Sequence, residues 1–232
     1  TLSDTLSLHD ALPILVAHDI AVGSLTEGDD ADMVAASQGG IDFLPHVSDQ
    51  LGFRWTLRST PISVAHFIRI VKLDRDEVAD IVWLARGPCE DLTNAAVTCP
   101  LMRTLVDGQL DGAAPSGCMG VLVRVNNNQI ETTAEGGCRR YHLPVEPAGV
   151  CTGDVNGDGG QDVVISGFGA DEVLVYLGDR VGGLLDPPLS VSLPSGGQGG
   201  TLACSDQDGD GRLDVLVAVG QTGVVSALRT VR

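Results

Sequence analysis

The feature that most constrains this chain is a pattern that occurs four times. Each copy has a short apolar stretch, then a loop of acidic and small residues that ends in aspartate, then an apolar run. The loops end at Asp32, Asp80, Asp162 and Asp214. These aspartates lie 48, 82 and 52 positions apart, so the period is about fifty once an insertion of roughly 35 residues in the second copy is set aside. Repeats of this length are typical of solenoids and propellers.

The stretches that follow each closing aspartate predict strands. A nearly continuous apolar run comes first, as in a strand buried on both faces, at residues 33–36, 81–85, 163–165 and 215–219. A more mixed stretch comes next and predicts a strand further from the core, at residues 41–47, 121–125, 173–177 and 224–228. Looser segments at 53–57 and 189–193 predict outer strands, and the fourth copy looks short of one. We therefore predict an all-β fold, a partial β-propeller of about four blades, each a small antiparallel sheet.

The predicted blades divide most of the chain. They span residues 15–63, 64–146 with an insertion near 86–119, 147–198 and 199–232. Residues 5–14 read as the translation of a sequencing-library adapter, so we set residues 1–14 aside as an artefact. Propellers usually have four to eight blades, so we expect the rest to be a fragment, an arc of a larger ring. The signal region would then be missing.

Charge narrows the possible partners. The chain has 31 acidic and 14 basic residues and a net charge of -17, so it should repel a polyanion such as nucleic acid. No apolar run approaches the roughly 20 residues that a membrane span needs. We expect neither a nucleic-acid partner nor a membrane span.

Two of the four loops have the composition of a metal site. Oxygen-bearing side chains stand at positions 1, 3, 5 and 9, and this spacing turns them inward. In the third loop they are Asp154, Asn156, Asp158 and Asp162, and in the fourth Asp206, Asp208, Asp210 and Asp214. A glycine at position 6 permits a sharp turn, and the carbonyl of residue 7, Gly160 or Arg212, can add an oxygen.

Oxygen ligands without sulfur or imidazole select calcium, so we predict about two structural calcium ions, each between the first two strands of a blade. The alternative is an acidic turn held by its own hydrogen bonds. An EF-hand is excluded, because position 12 is Ile165 or Val217 inside a β-rich run and not glutamate.

The segments GDVNGDGGQDVV and DQDGDGRLDVLV resemble the FG-GAP or VCBS repeat of integrin-like propellers, and the resemblance is strong over residues 147–219. The resemblance implies a seven-bladed ring, which this chain is too short to complete. It also implies an extracellular role in adhesion or in the recognition of proteins and carbohydrates.

The first two loops are degenerate, and we expect no metal in them. The first keeps only Asp32 at position 9. The second keeps Asp74, Asp76 and Asp80 but has Lys72 at position 1. We predict that the Lys72 ammonium takes the place of the ion among those carboxylates, the alternative being that it points to solvent.

Six cysteines suggest disulfides and an export compartment, with free thiols in a cytosolic protein as the alternative. They are Cys89, Cys99, Cys118, Cys138, Cys151 and Cys204. The first candidate pair is Cys89 with Cys99, because the long insertion needs a cross-link of its own. Six cysteines allow fifteen connectivities, however, and all of them stay open. Calcium loops of low affinity also suit the extracellular side, where calcium is millimolar.

No catalytic motif occurs, since HExxH, GxSxG and CxxC patterns are absent from the sequence. We expect a noncatalytic module that binds an extracellular protein or a glycan, as in adhesion. The first alternative is an accessory propeller part of a secreted hydrolase or lyase whose catalytic residues lie outside this fragment. The second is a structural spacer.

Overall fold

A computed structural model describes residues 17–25, 31–37, 40–44, 46–47, 50–51, 55–57, 64–73, 79–87, 102–104, 118–124, 138–194, 198–219 and 224–228. These residues form 18 strands and no helix. The all-β prediction is confirmed for this part of the chain.

The strands form antiparallel sheets that follow the repeat. The first sheet has the order β1-β2-β3-β6-β9, with β1 (Asp19–Gly23), β2 (Asp32–Ser37), β3 (Gly40–Leu44), β6 (Trp55–Leu57) and β9 (Met102–Thr104). A small separate sheet pairs β4 (His46–Val47) with β5 (Gln50–Leu51). The second sheet has the order β11-β10-β8-β7, with β7 (Val64–Val71), β8 (Asp80–Gly87), β10 (Cys118–Arg124) and β11 (Cys138–Leu143).

The last two copies give the simplest sheets. The third sheet has the order β12-β13-β14-β15, with β12 (Pro147–Gly153), β13 (Asp162–Gly167), β14 (Glu172–Tyr176) and β15 (Leu189–Ser192). The fourth has β16 (Gly199–Ser205), β17 (Asp214–Val219) and β18 (Val224–Leu228) in that order. Among described residues the fourth sheet has three strands.

Every closing aspartate begins the second strand of its sheet, so each acidic loop joins the first two strands, as expected. One pairing was not expected. The strand β9 comes from the insertion in the second copy, yet it pairs with β6 and extends the first sheet.

The third sheet is packed on both faces, which explains why β13 is apolar without alternation. Val163 and Ile165 lie in a buried cluster with residues of the second sheet. Val164 lies in another cluster with Val215 and Val217 of the fourth sheet. Burying one such side chain contributes about 1.5–3 kcal/mol relative to leaving it exposed, so these two clusters hold the three sheets in order.

The first strands of consecutive sheets lie side by side, β1 by β7, β7 by β12 and β12 by β16. Glycine permits this close approach: a Cβ on Gly149 of β12 would lie 2.6 Å from the Leu202 nitrogen of β16. The guanidinium of Arg69 in β7 connects three of these strands. It contacts Asp19 Oδ2 of β1 at 2.5 Å and donates to the Val150 carbonyl of β12 at 3.0 Å.

A disulfide between Cys151 and Cys204 links β12 to β16. Cys151 is paired with Val164 and Cys204 with Val215, and these two valines meet in the core between the sheets. The two cysteines therefore lie on facing surfaces. Cys89 and Cys99 lie outside the described residues, so their pairing stays a prediction.

Candidate functional site

The four closing aspartates are buried and make the same hydrogen bond. Their exposed fractions are 0%, 0%, 0% and 3% in chain order. In each, Oδ2 accepts from the backbone N–H of the residue seven positions earlier, at position 2 of the loop. The donors are Leu25 at 2.8 Å, Leu73 at 2.7 Å, Val155 at 2.9 Å and Gln207 at 3.1 Å. The closing carboxylate thus fastens the start of its loop to the start of the next strand.

Asp162 makes a second such bond, because its Oδ1 accepts from the Gly178 N–H at 2.9 Å. Burial raises the pKa of Asp162, and the two N–H donors oppose that effect. A charge this far inside is tolerated because both of its oxygens have donors.

The aspartate at position 1 organises the rest of the loop in both intact copies. Asp154 accepts from the N–H groups at positions 4, 5 and 6 at 2.7, 3.2 and 2.7 Å. Asp206 accepts from the same positions at 2.7, 3.2 and 2.9 Å. These bonds need a backbone that turns at positions 4 and 6, which glycine permits. The φ angles there are +78° and +81° in the third loop (Gly157, Gly159) and +78° and +86° in the fourth (Gly209, Gly211). The requirement for glycine at position 4 was not expected from the sequence.

In both loops an arginine side chain forms an ion pair with the aspartate at position 5. Asp158 Oδ1 accepts from the Gly160 N–H at 2.7 Å, and Arg180 lies 3.3 Å from Oδ1 through Nε and 3.1 Å from Oδ2 through Nη2. The Gly160 N–H and then the Arg180 guanidinium lower the pKa of Asp158. In the fourth loop, Arg212 Nη2 lies 2.5 Å from Asp210 Oδ2. Sequence reasoning missed both arginine side chains.

The fourth loop brings three carboxylates together at the surface. Asp206, Asp208 and Asp210 each offer an oxygen within 4.8 Å of the others, and all three are exposed. Within the described ranges this is the one such group of three acidic, histidine or cysteine ligands. Asp214, expected as the fourth side-chain ligand, does not belong to it and lies in the interior.

In the third loop, position 3 is an asparagine, whereas the fourth loop has an aspartate there. Asn156 Oδ1 accepts from the Asp158 N–H at 2.9 Å, and its Nδ2 donates to Asp158 Oδ2 at 3.2 Å. Both loops nevertheless offer hard oxygen donors without sulfur or imidazole, and this donor set fits calcium. The residues that would hold an ion are the side chains at positions 1, 3 and 5.

The two loops touch each other. The Leu213 N–H in the fourth loop donates to the Asp154 carbonyl in the third at 2.8 Å. A Cβ on Gly157 would lie 2.7 Å from Arg212 Cδ, so the arginine stem passes directly over the third loop. The third loop (residues 154–162) and the fourth loop (residues 206–214), the two oxygen-rich loops, therefore lie at the same end of adjacent sheets.

The first two loops are described only in part. Lys72 is exposed, and Asp74 and Asp76 lie outside the described residues, so the internal-cation role of Lys72 stays a prediction. Asp32 and Asp80 are buried and bonded as above.

Comparison with known families supports the predicted resemblance. The family model described as an FG-GAP-like repeat matches residues 154–217, which include both oxygen-rich loops, the strands β13 to β16 and the first part of β17. This segment thus carries an FG-GAP-like repeat. No curated protein matches the chain significantly. In the described residues, no helix is long and apolar enough to cross a membrane.

Proposed function

We propose that the chain is a calcium-binding module built as an arc of four propeller blades, that it lies outside the cell, and that it binds a protein or a glycan without catalysing a reaction. The observation that carries the calcium assignment is the convergence of Asp206, Asp208 and Asp210 in a loop whose backbone is already folded around the first of them. The FG-GAP-like repeat over the same residues supports it.

The propeller arrangement is supported by the order of the sheets. In each sheet, the strand that comes first in the chain is the one that lies beside the neighbouring sheets. These first strands, β1, β7, β12 and β16, follow one another in chain order. Radial repetition of small antiparallel sheets gives this order. Oxygen-rich loops that follow the first strand then meet at one end, where they can form a continuous binding surface.

Calcium would supply a double positive charge at a point where three carboxylates repel one another. The chain's own contribution is to hold those carboxylates ready. The position 1 aspartate is held by three N–H groups, and the closing aspartate fixes both ends of the loop, so little ordering remains to be done when an ion binds.

An extracellular location is supported by the disulfide between the third and fourth sheets and by the acidity of the chain. Loops of the extracellular kind, with dissociation constants of about 0.1 mM, would be filled at about 1 mM calcium. They would then stabilise the fold by roughly 1.4 kcal/mol each.

Isothermal titration calorimetry of the calcium-free protein tests the calcium assignment. We expect two calcium ions per chain, weaker binding of magnesium, and the loss of one ion in Asp208→Ala, which removes the side-chain oxygens at position 3. Asp208 suits this test because it is exposed and accepts one intraloop bond, at 3.2 Å. Absence of calcium heat in the wild-type protein would refute the assignment.

Binding to a glycan array and to an extracellular protein array, each with calcium and with chelator, tests the recognition role. We expect at least one ligand whose binding is lost in chelator. Hydrolase or lyase activity of the purified chain toward a bound polysaccharide would instead contradict the noncatalytic role.

A further inference from the structure

Each oxygen-rich loop holds a guanidinium on the carboxylate at position 5, and the two arginines come from different places. Arg212 belongs to the fourth loop itself. Arg180 lies 22 residues after Asp158, in the connection between β14 and β15. The same arginine–aspartate contact thus occurs in both loops, although the arginine comes from a different part of the repeat in each. A chance surface ion pair does not explain this recurrence.

The backbone around Arg180 is arranged to present that side chain. Arg180 has a φ of +61° and is the one non-glycine residue in the described ranges with positive φ. Asp179 holds the turn, because its Oδ1 accepts from the Val181 and Gly183 N–H groups at 2.8 and 2.7 Å. Glycine or asparagine would take this conformation with less strain, so the arginine side chain has to offset the cost.

From this geometry, and resting on the proposed calcium site, we propose that Arg180 and Arg212 are built-in competitors of the metal that set its affinity. Without calcium, each guanidinium neutralises the position 5 carboxylate and keeps the loop closed. Calcium binding has to release that carboxylate from the arginine and then tolerate a positive charge nearby. The structural consequence is a loop that stays folded without metal and binds it weakly, in the range suited to a calcium-rich medium.

The size of the effect follows from the exposure of the ion pairs. The side chains of Arg180 and Asp158 are 37% and 34% exposed. Those of Arg212 and Asp210 are 12% and 23% exposed, so the effect at Arg212 should lie at the upper end of the range for such pairs. Exposed pairs contribute little, about 0.2–1 kcal/mol in measured cases. Removing the competing guanidinium should therefore tighten calcium binding by about two- to fivefold, and lost charge repulsion acts in the same direction.

Calorimetry on the full chain tests the proposal one loop at a time. An Asp208→Ala background leaves the third loop as the calcium site, and Arg180→Gln is added to it. Correspondingly, an Asp158→Asn background leaves the fourth loop, and Arg212→Gln is added there. Arg180→Gln in the Asp158→Asn background is the matched control, because it removes one positive charge from the chain while the loop that still binds calcium keeps Arg212 on its own position 5 carboxylate.

We expect calcium affinity to rise about two- to fivefold when the arginine of the remaining calcium loop is replaced by glutamine, to stay unchanged in the matched control, and to return toward the wild-type value in Arg180→Lys. Circular dichroism in chelator checks the fold, and Arg180→Asn, which tolerates positive φ, serves if Arg180→Gln does not fold. Unchanged affinity in the arginine variants, or an equal rise in the matched control, would overturn this inference while leaving the calcium site intact. No calcium binding in the wild type would instead refute the proposed function, and this inference with it.

Discussion

The closing aspartates give the sharpest test of how the repeat is held together. We expect Asp162→Ala to destabilise the protein even in chelator, because it leaves the buried N–H groups of Val155 and Gly178 without an acceptor. Each orphaned buried donor costs about 1–3 kcal/mol, so the free energy of unfolding should fall by roughly 2–6 kcal/mol. Asp214→Ala removes the acceptor of one half-buried donor and should cost about 1–3 kcal/mol.

Urea unfolding followed by circular dichroism, in chelator and in 1 mM calcium (roughly ten times the expected dissociation constant), measures these changes. Asp208→Ala is the control, because its side chain is exposed and accepts a single bond at 3.2 Å; it should change stability by less than about 0.5 kcal/mol in chelator. If Asp162→Ala destabilises only when calcium is present, the aspartate acts as a metal ligand and the anchoring argument is wrong.

Three further changes test the packing between sheets. Tyr141→Phe removes the acceptor of the buried Leu184 N–H, bonded at 2.7 Å, and should lower the free energy of unfolding by about 1–3 kcal/mol in urea; a change under about 0.5 kcal/mol would contradict this. Replacing Cys151 and Cys204 by serine opens a cross-link between residues 53 positions apart, and the loss should be up to about 4 kcal/mol, with no loss refuting a stapling role. Burial, and then Asp186, raises the pKa of Tyr176 above its ordinary value of 10.0, so stability should be intact below pH 10 and fall above it. Tyr176→Phe should remove that part of the alkaline loss, and equal slopes in the two proteins would exclude it.

The strands and the position of the loops could be predicted because their signals are local. An apolar run after each closing aspartate marks a strand covered on both faces, and Val163 to Ile165 meet that description in full. The glycine at position 6 follows from loop spacing. Position 4 has the same backbone requirement, but it becomes visible only when Gly157 and Gly209 are seen to donate to the aspartate three residues earlier.

The role of the closing aspartate was only half predicted. Its spacing marks it as a ligand, yet the structure buries it against a backbone N–H in all four copies. A signal for this was present: Asp32 persists in a loop that has lost its other ligands, so some other interaction must require it.

The contacts between distant positions of the chain could not be read from the sequence. Arg180 contacts Asp158 although the two residues are 22 positions apart in the sequence, and no periodic pattern predicts this contact. Cys151 precedes Asp154 by three residues whereas Cys204 precedes Asp206 by two, and this difference places the cysteines on opposite faces of their own strands. Choosing their pairing among the fifteen possible connectivities requires knowing that the third and fourth sheets stack.

The most direct test of the central claim is a crystal structure of the full chain grown with calcium, with anomalous scattering recorded to locate the ions. We expect two peaks, one beside Asp206, Asp208 and Asp210 and one beside Asp154, Asn156 and Asp158, with Arg180 and Arg212 drawn back from the metal. Loops without anomalous peaks at millimolar calcium would contradict the account.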